Sequence, residues 1–338
     1  MSREPPLPAL VFWAVLGLAP LVAPGWLLAQ LAQHLGYGLL ALSLAWVWGQ
    51  AGLLSFCQAL FFGSGAYLFA LLALGRIPGL PDSPWLGLLC APLFSALLAF
   101  LLGLALLSAR IGSGAAWAVM TLVLGVIAER VAVTSPWLGG SNGLVGVPPL
   151  AVPWPSGTFE LVDPLPLYLL LFAATALVHL ALARHIASPA GALVRAVRDD
   201  ALRAAHLGID PLRLRLFVFT GAAAIAGLGG GLFAAQFGFV APPLLGLGLS
   251  TEALVWVAVG GRGSPLAALV GTLVVKGVEE LLGRWLEAWW PLAMGLVVVA
   301  VVLAFPAGLV GGLLARRGRP VPADVAGGAR RAAVRTSS

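Results

Sequence analysis

The sequence predicts an all-α fold, a polytopic integral membrane protein of about ten transmembrane helices, and three observations carry that expectation. Of 338 residues, 60% are hydrophobic and 9% charged. Two long runs, 5 to 75 and 216 to 251, contain no Lys, Arg, Asp or Glu. What charge there is gathers in a polar island at 184 to 215, with Arg184, Arg195, Arg198, Arg203, Arg213 and Arg215 beside Asp199, Asp200 and Asp210. A soluble chain of this size cannot hide so much uncharged apolar surface, so the island reads as the main water-exposed loop between spans.

Taken in order, runs long enough to cross a bilayer fall near 10 to 31, 36 to 54, 57 to 75, 85 to 108, 114 to 134 and 165 to 183. The first is longer than the apolar part of a secretion signal, holds Pro20 and Pro24, and leads straight into further spans, so it is expected to be retained. After the island come 214 to 238, 243 to 260, 265 to 283 and 290 to 312. Pro242, Pro243, Gly246 and Gly248 interrupt the start of the second of these, which predicts a short or partly re-entrant helix. The apolar transmembrane domain is thus 1–312, and 313–338 is a basic tail among Gly, Ala and Pro, expected to be disordered in the cytoplasm.

Charge sets the orientation. With ten spans and both termini in the cytoplasm, 15 of the 19 basic residues lie inside, leaving Arg76, Arg130 and Arg284 on the far side and Lys276 within a span. The high isoelectric point therefore reflects membrane orientation and lipid headgroups, and nucleic acid is not expected as a partner. Cys57 and Cys90 both sit in apolar segments, as small core residues rather than a disulfide.

Several function classes are excluded. A phosphate loop needs Gly-Lys-Ser/Thr, and the one lysine, Lys276, precedes glycine inside an apolar run. His34, His179, His185 and His206 lack metal-ligand spacing, and no nucleophile elbow is present. No catalytic residue, no metal site and no cofactor is expected. The charges within spans, Glu129 with Arg130 and Lys276 with Glu279 and Glu280, read as local pairs toward the outer ends of their helices.

The island reads as one short helix, entered at Ser188-Pro189 and left at Gly208 before Asp210-Pro211. Val197, Ala201 and Ala205 would share a face, and Asp199 would pair with Arg203 one turn on. By itself this is also what a solvated connector looks like.

From here the chain resembles a family. RAVRDDALRAAHLGIDPLRLRLFVFTGAAAIAGLGGGLFA from Arg195, then GFVAPPLL and STEALVWVAVGGRGSPLAALVG, with GQAGLLSFCQALFFGSGAYLFALL at 49 to 72 and LGGSNGLVGVP at 138 to 148, is similar to the permeases of ABC importers for branched-chain amino acids and urea. The likeness is to their M-type subunit (C-type in urea systems) and covers about 35 to 312 in matching order. It implies a type II-like importer permease without enzymatic activity in the bacterial cytoplasmic membrane. Implied partners are a second homologous permease, two ABC ATPase subunits that bind the ATP, and a periplasmic or lipid-anchored substrate-binding protein.

The resemblance also implies that the cytoplasmic loop at 185–213 couples to the ATPase, through Arg195, Arg198, Asp199, Asp200, Arg203 and Gly208. Gln50, Ser55 and Gln58, which break apolar periodicity near a span boundary, and Asn142 in the LGGSNGLVGVP motif are candidates for the substrate path. Gly63 and Gly65, Gly227, Gly230 and Gly231, and Gly260, Gly261 and Gly263 are candidates for close helix packing, which is compatible with helices that slide during transport. On substrate the motifs divide: VWVAVGGRG at 255 to 263 resembles the urea branch, and TLVLGVIAERVAVTSPWLGGSNGL at 121 to 144 the amino-acid branch. Branched-chain or other hydrophobic amino acids are the first expectation, and urea or a short amide the alternative. An ion-driven secondary carrier, the remaining reading, wants acidic residues at mid-membrane.

Overall fold

The computed structural model describes residues 6–108, 114–154 and 157–286, with isolated positions as far as Leu309. The expected last span at 290 to 312, the loop bearing Arg110 and the basic tail lie largely outside the described residues. Helix α1 (Pro6–Val22) stops at Pro24, and α2 (Gly25–Leu44) runs on through a π-helical turn, Ala45–Gln50. The predicted first span was therefore set too long: Pro24 does not sit inside it but divides it from α2. Helices α3 (Gln58–Ala73), α4 (Pro84–Ser108), α5 (Gly114–Thr134) and α6 (Pro164–Ala187) follow.

The island forms α7 (Pro189–Asp199) and α8 (Ala201–His206), and α9 (Pro211–Phe237), α10 (Leu247–Gly260) and α11 (Pro265–Leu286) complete the described helices. Among the described residues, five stretches are long and apolar enough to cross a membrane: Gly25–Gln50, Pro84–Ser108, Gly114–Thr134, Pro164–Ala187 and Pro211–Phe237. At the face away from the island, the two-residue strands β1 (Leu144–Val145) and β4 (Phe239–Val240) pair antiparallel, and β2 (Ala151–Trp154) and β3 (Gly157–Glu160) form a hairpin between them in sequence.

The centre of the bundle is α3, α4 and α9. Helix α4 buries Gly87, Ala91, Ser95, Ala99 and Gly103, one small residue per turn, then Leu107, and leaves Leu89, Leu93, Leu97 and Leu101 exposed. That division gives one seam for a neighbour and one face for lipid. The α9 glycines use the seam: a Cβ on Gly227 would lie within 2.6 Å of the Ser95 Cβ, and one on Gly65 of α3 within 2.6 Å of the Gly227 Cα. A Cβ on Gly230 would overlap the Phe62 carbonyl, so α3 and α9 touch through backbone. Gly263 is different; its surroundings are open, and close packing does not explain it.

Besides α1, of 17 residues, two described apolar helices are too short to cross. Helix α3 has 16 residues and α10 has 14, or about 24 and 21 Å at 1.5 Å per residue against a hydrocarbon core of about 30 Å. Each is preceded by a non-helical stretch, 51 to 57 and 238 to 246, the second holding only the β4 pair and a 3₁₀ turn, Pro242–Leu245. Their N-terminal ends meet inside the bundle, where the Ala59 amide donates to Ser250 Oγ at 3.1 Å. The proline and glycine interruptions predicted such a start for α10. The run before α3, expected to lie within or beside helical spans, is non-helical instead.

Candidate functional site

Helix α7 begins on Ser188, whose Oγ accepts from the Gly191 amide at 3.3 Å. Gly191, Val194 and Val197 are its buried residues, spaced three apart and turned onto the bundle. Arg195 donates from Nη1 to the Ile186 carbonyl at 2.8 Å, satisfying an orphan acceptor at the end of α6. The single predicted island helix is broken at Asp200, which is extended (φ −154°, ψ 94°) and caps α8 by accepting from the Arg203 amide at 2.9 Å. That break removes two expectations. Val197, Ala201 and Ala205 no longer share a helical face, and Asp199 pairs with Arg198 at 2.8 Å while Arg203 pairs with Asp200 at 3.4 Å.

Helix α8 ends at Gly208, whose φ of +82° is reached readily only by glycine, and the Ile209 amide closes the turn onto the Ala204 carbonyl. Asp210 then caps α9, accepting from Leu212 and Arg213. The outer surface of this elbow is mixed, with Leu202, Leu207, Arg203 and Arg213 exposed. Apolar side chains beside charges on a short, anchored pair of helices form a surface that a partner can both bury and orient.

The inner surface of the elbow reaches the segment that precedes α3. Arg198 Nη1 donates to the Gly49 carbonyl at 2.8 Å, and a Cβ on Gly52 (φ +73°) would fall 2.6 Å from Arg198 Cγ. From the other side, Gly49 lies against the Arg262 backbone, and Gln50 Nε2 donates to the Gly263 carbonyl at 3.3 Å. Gly308, in the left-handed conformation, lies against Gly260 and Gly261, the latter the residue that ends α10. Segments 49–52, 195–200 and 260–263, far apart in sequence, thus converge at one end of the bundle.

From there the chain runs inward. The Phe56 amide donates to Thr121 Oγ1 at 3.1 Å, and Ser55 Oγ lies 3.4 Å from Cys57 Sγ, with Ser55, Cys57 and Gln58 fully buried. Neither amide atom of Gln58 has a hydrogen-bond partner among the described residues, and neither has Gln50 Oε1. A buried polar atom left so costs about 1–3 kcal/mol. Asn142 is not part of this group; it is exposed in a turn at the opposite face.

The comparisons with known proteins bear on this geometry. A family model described as the branched-chain amino acid transport system / permease component matches residues 27–315. The chain belongs to that permease family. Its members LivM of Salmonella typhimurium and LivM of Escherichia coli, each named a high-affinity branched-chain amino acid transport system permease protein, are 32% identical over 294 residues, spanning 81% of this chain and 67% of theirs. LsrC of Klebsiella pneumoniae, an autoinducer 2 import system permease protein, is 34% identical over 116 residues, 32% of this chain and 33% of its own. No solved structure matches. As a permease of this family, the protein is a subunit of an ABC importer and not an enzyme.

Among the charges within the bundle, sequence reasoning named Lys276 and its pairing with Glu279 but missed Glu252. Lys276, midway along the 22-residue α11 rather than toward its end, pairs with Glu252 of α10 at 3.0 Å and Glu279 at 2.9 Å. It also sits over the rings of Tyr37 and Trp256, at 4.9 and 5.0 Å. Glu280 pairs with Arg284 instead. Among the described residues Glu129 and Arg130 form no ion pair; Arg130 is exposed, and the Glu129 carboxylate reaches Gly246. Glu252 closes the charge-free run 216 to 251, and Lys276 is the one lysine. Those two facts were the available signals.

Proposed function

We propose that this permease imports branched-chain or other hydrophobic amino acids, as one half of a pore completed by a second homologous permease, with two ATPase subunits and a substrate-binding protein. The island end of the bundle is the cytoplasmic end of a bacterial cytoplasmic-membrane protein, and both termini lie there. The observation that carries the mechanism is the bond from Arg198 to the Gly49 carbonyl. It joins the elbow that faces an ATPase to the segment that leads into α3, so that a shift of α7–α8 is passed to 49–57 by contact. The names of the LivM relatives support the amino-acid substrate. The GGRG turn at 260–263, similar to the urea branch, supports urea or a short amide as the second reading.

The test is reconstitution of the complete complex in vesicles with its binding protein. ATP-dependent uptake of labelled leucine is the expected result. Uptake of urea in its place establishes the second reading, and solute accumulation by this chain alone on an imposed proton or sodium gradient would overturn the ABC assignment.

A further inference from the structure

Beneath the N-terminus of α10 lies a cavity of about 320 Å³, within the range of about 300–1,000 Å³ typical of small-molecule sites. Four helices and the 3₁₀ turn contribute to it. Its charged groups are Glu129 from α5, Glu252 from α10 and Lys276 from α11, with the Tyr37 ring from α2 alongside. Leu244 and Leu249 supply an apolar wall.

We propose that this cavity holds a zwitterionic amino acid in transit, its ammonium group between Glu129 and Glu252 and its carboxylate toward the first amides of α10. The proposal rests on the amino-acid reading above. Charge is the first support. Lys276 is the one ammonium for three carboxylates, since it already serves Glu252 and Glu279, while Glu129 has no ion-pair partner among the described residues. Excess negative charge halfway through an apolar bundle is costly, and an arriving ammonium offsets it.

Geometry is the second support. The N-cap of α10 is Gly246, which offers no side chain to the first amides, and nothing lies within 4 Å of the position a Cβ would take on Gly248. Bare amides at a helix start donate to a carboxylate. A Cβ on Gly246 would fall 2.5 Å from Glu129 Oε2, so glycine at 246 is what lets that carboxylate approach.

A route leads in. A second cavity of about 340 Å³ shares Lys276 and is lined by Gln30, Gln33 and His34 of α2 with Glu279 and Glu280 of α11. These occupy matching positions three and four apart on two helices, a polar stripe from the end away from the island down to Tyr37. The amino-acid side chain would meet Leu244 and Leu249, which favours an apolar one.

Occupancy can be read directly in the reconstituted complex. Cysteine introduced as Leu249→Cys should react with a small thiol reagent, and leucine at ten times its dissociation constant should slow that reaction about tenfold by mass action, whereas urea should not. Glu129→Gln should weaken the protection about tenfold, and Glu129→Asp should restore part of it. Should Leu249→Cys fail to assemble, Leu244→Cys gives the same readout from the same wall. Leucine uptake by the unmodified complex without protection of either cysteine overturns this site alone. Failure of the unmodified complex to import leucine overturns the amino-acid reading, and this site with it.

Discussion

Replacing Arg198 by Met removes the guanidinium that joins α7 to Gly49 and keeps most of the side-chain length. A hydrogen bond to a charged group contributes about 1.5–3 kcal/mol. The Arg198 side chain is 34% exposed, which places this one at the low end, near ~1.5 kcal/mol, or about tenfold in an equilibrium. The same contact can be broken from its other side. Gly52→Ala strains a left-handed residue by about 1–2 kcal/mol and drives its new Cβ into Arg198 Cγ, 2.6 Å away, displacing the arginine. If both act through one bond, the double variant should fall short of the summed effects by roughly 1.5 kcal/mol. The assay is solute imported per ATP hydrolysed in vesicles, with ATPase co-purification monitored so that lost docking is not mistaken for lost transmission. Additive effects, or a wild-type ratio in Arg198→Met, would refute transmission through this contact.

Two further outcomes follow from the packing and the caps. Gly230→Ala should lower the stability of the purified protein by about 1–3 kcal/mol through overpacking against Phe62, seen as a reduced melting temperature, while Gly263→Ala, in open space, should leave it unchanged. Asp200→Ala should loosen α8 by about 1 kcal/mol through loss of its N-cap and weaken ATPase co-purification. Asp200→Asn, which still caps, should retain α8, so any deficit it shows measures charge alone.

Much of this was legible because the cues were local. Ser188 and Gly208 marked the ends of the island, and the prolines and glycines at 242 to 248 marked the late start of α10. The break at Asp200 was not legible: an aspartate in a charged run reads equally as a helix-face partner or as a cap, and only the backbone decides. The non-helical 51 to 57 was missed because a buried apolar run has no periodicity to betray its conformation. Within the candidate site, Gln50, Ser55 and Gln58 were visible as polar intrusions. The bond from Gln50 to Gly263, those from the Phe56 and Ala59 amides to Thr121 and Ser250, and the Lys276–Glu252 pair are tertiary contacts that spacing along the chain cannot encode.

The segment from Gly49 to Ala59 is held by Thr121, Arg198, Ser250 and Gly263, which follow it in the chain by between 65 and 213 residues. During synthesis it enters the membrane long before any of these exists, with its polar groups unanswered. The protein's interior is therefore finished last by its own C-terminal third, since Ser250 and Gly263 close contacts that the early segment leaves open.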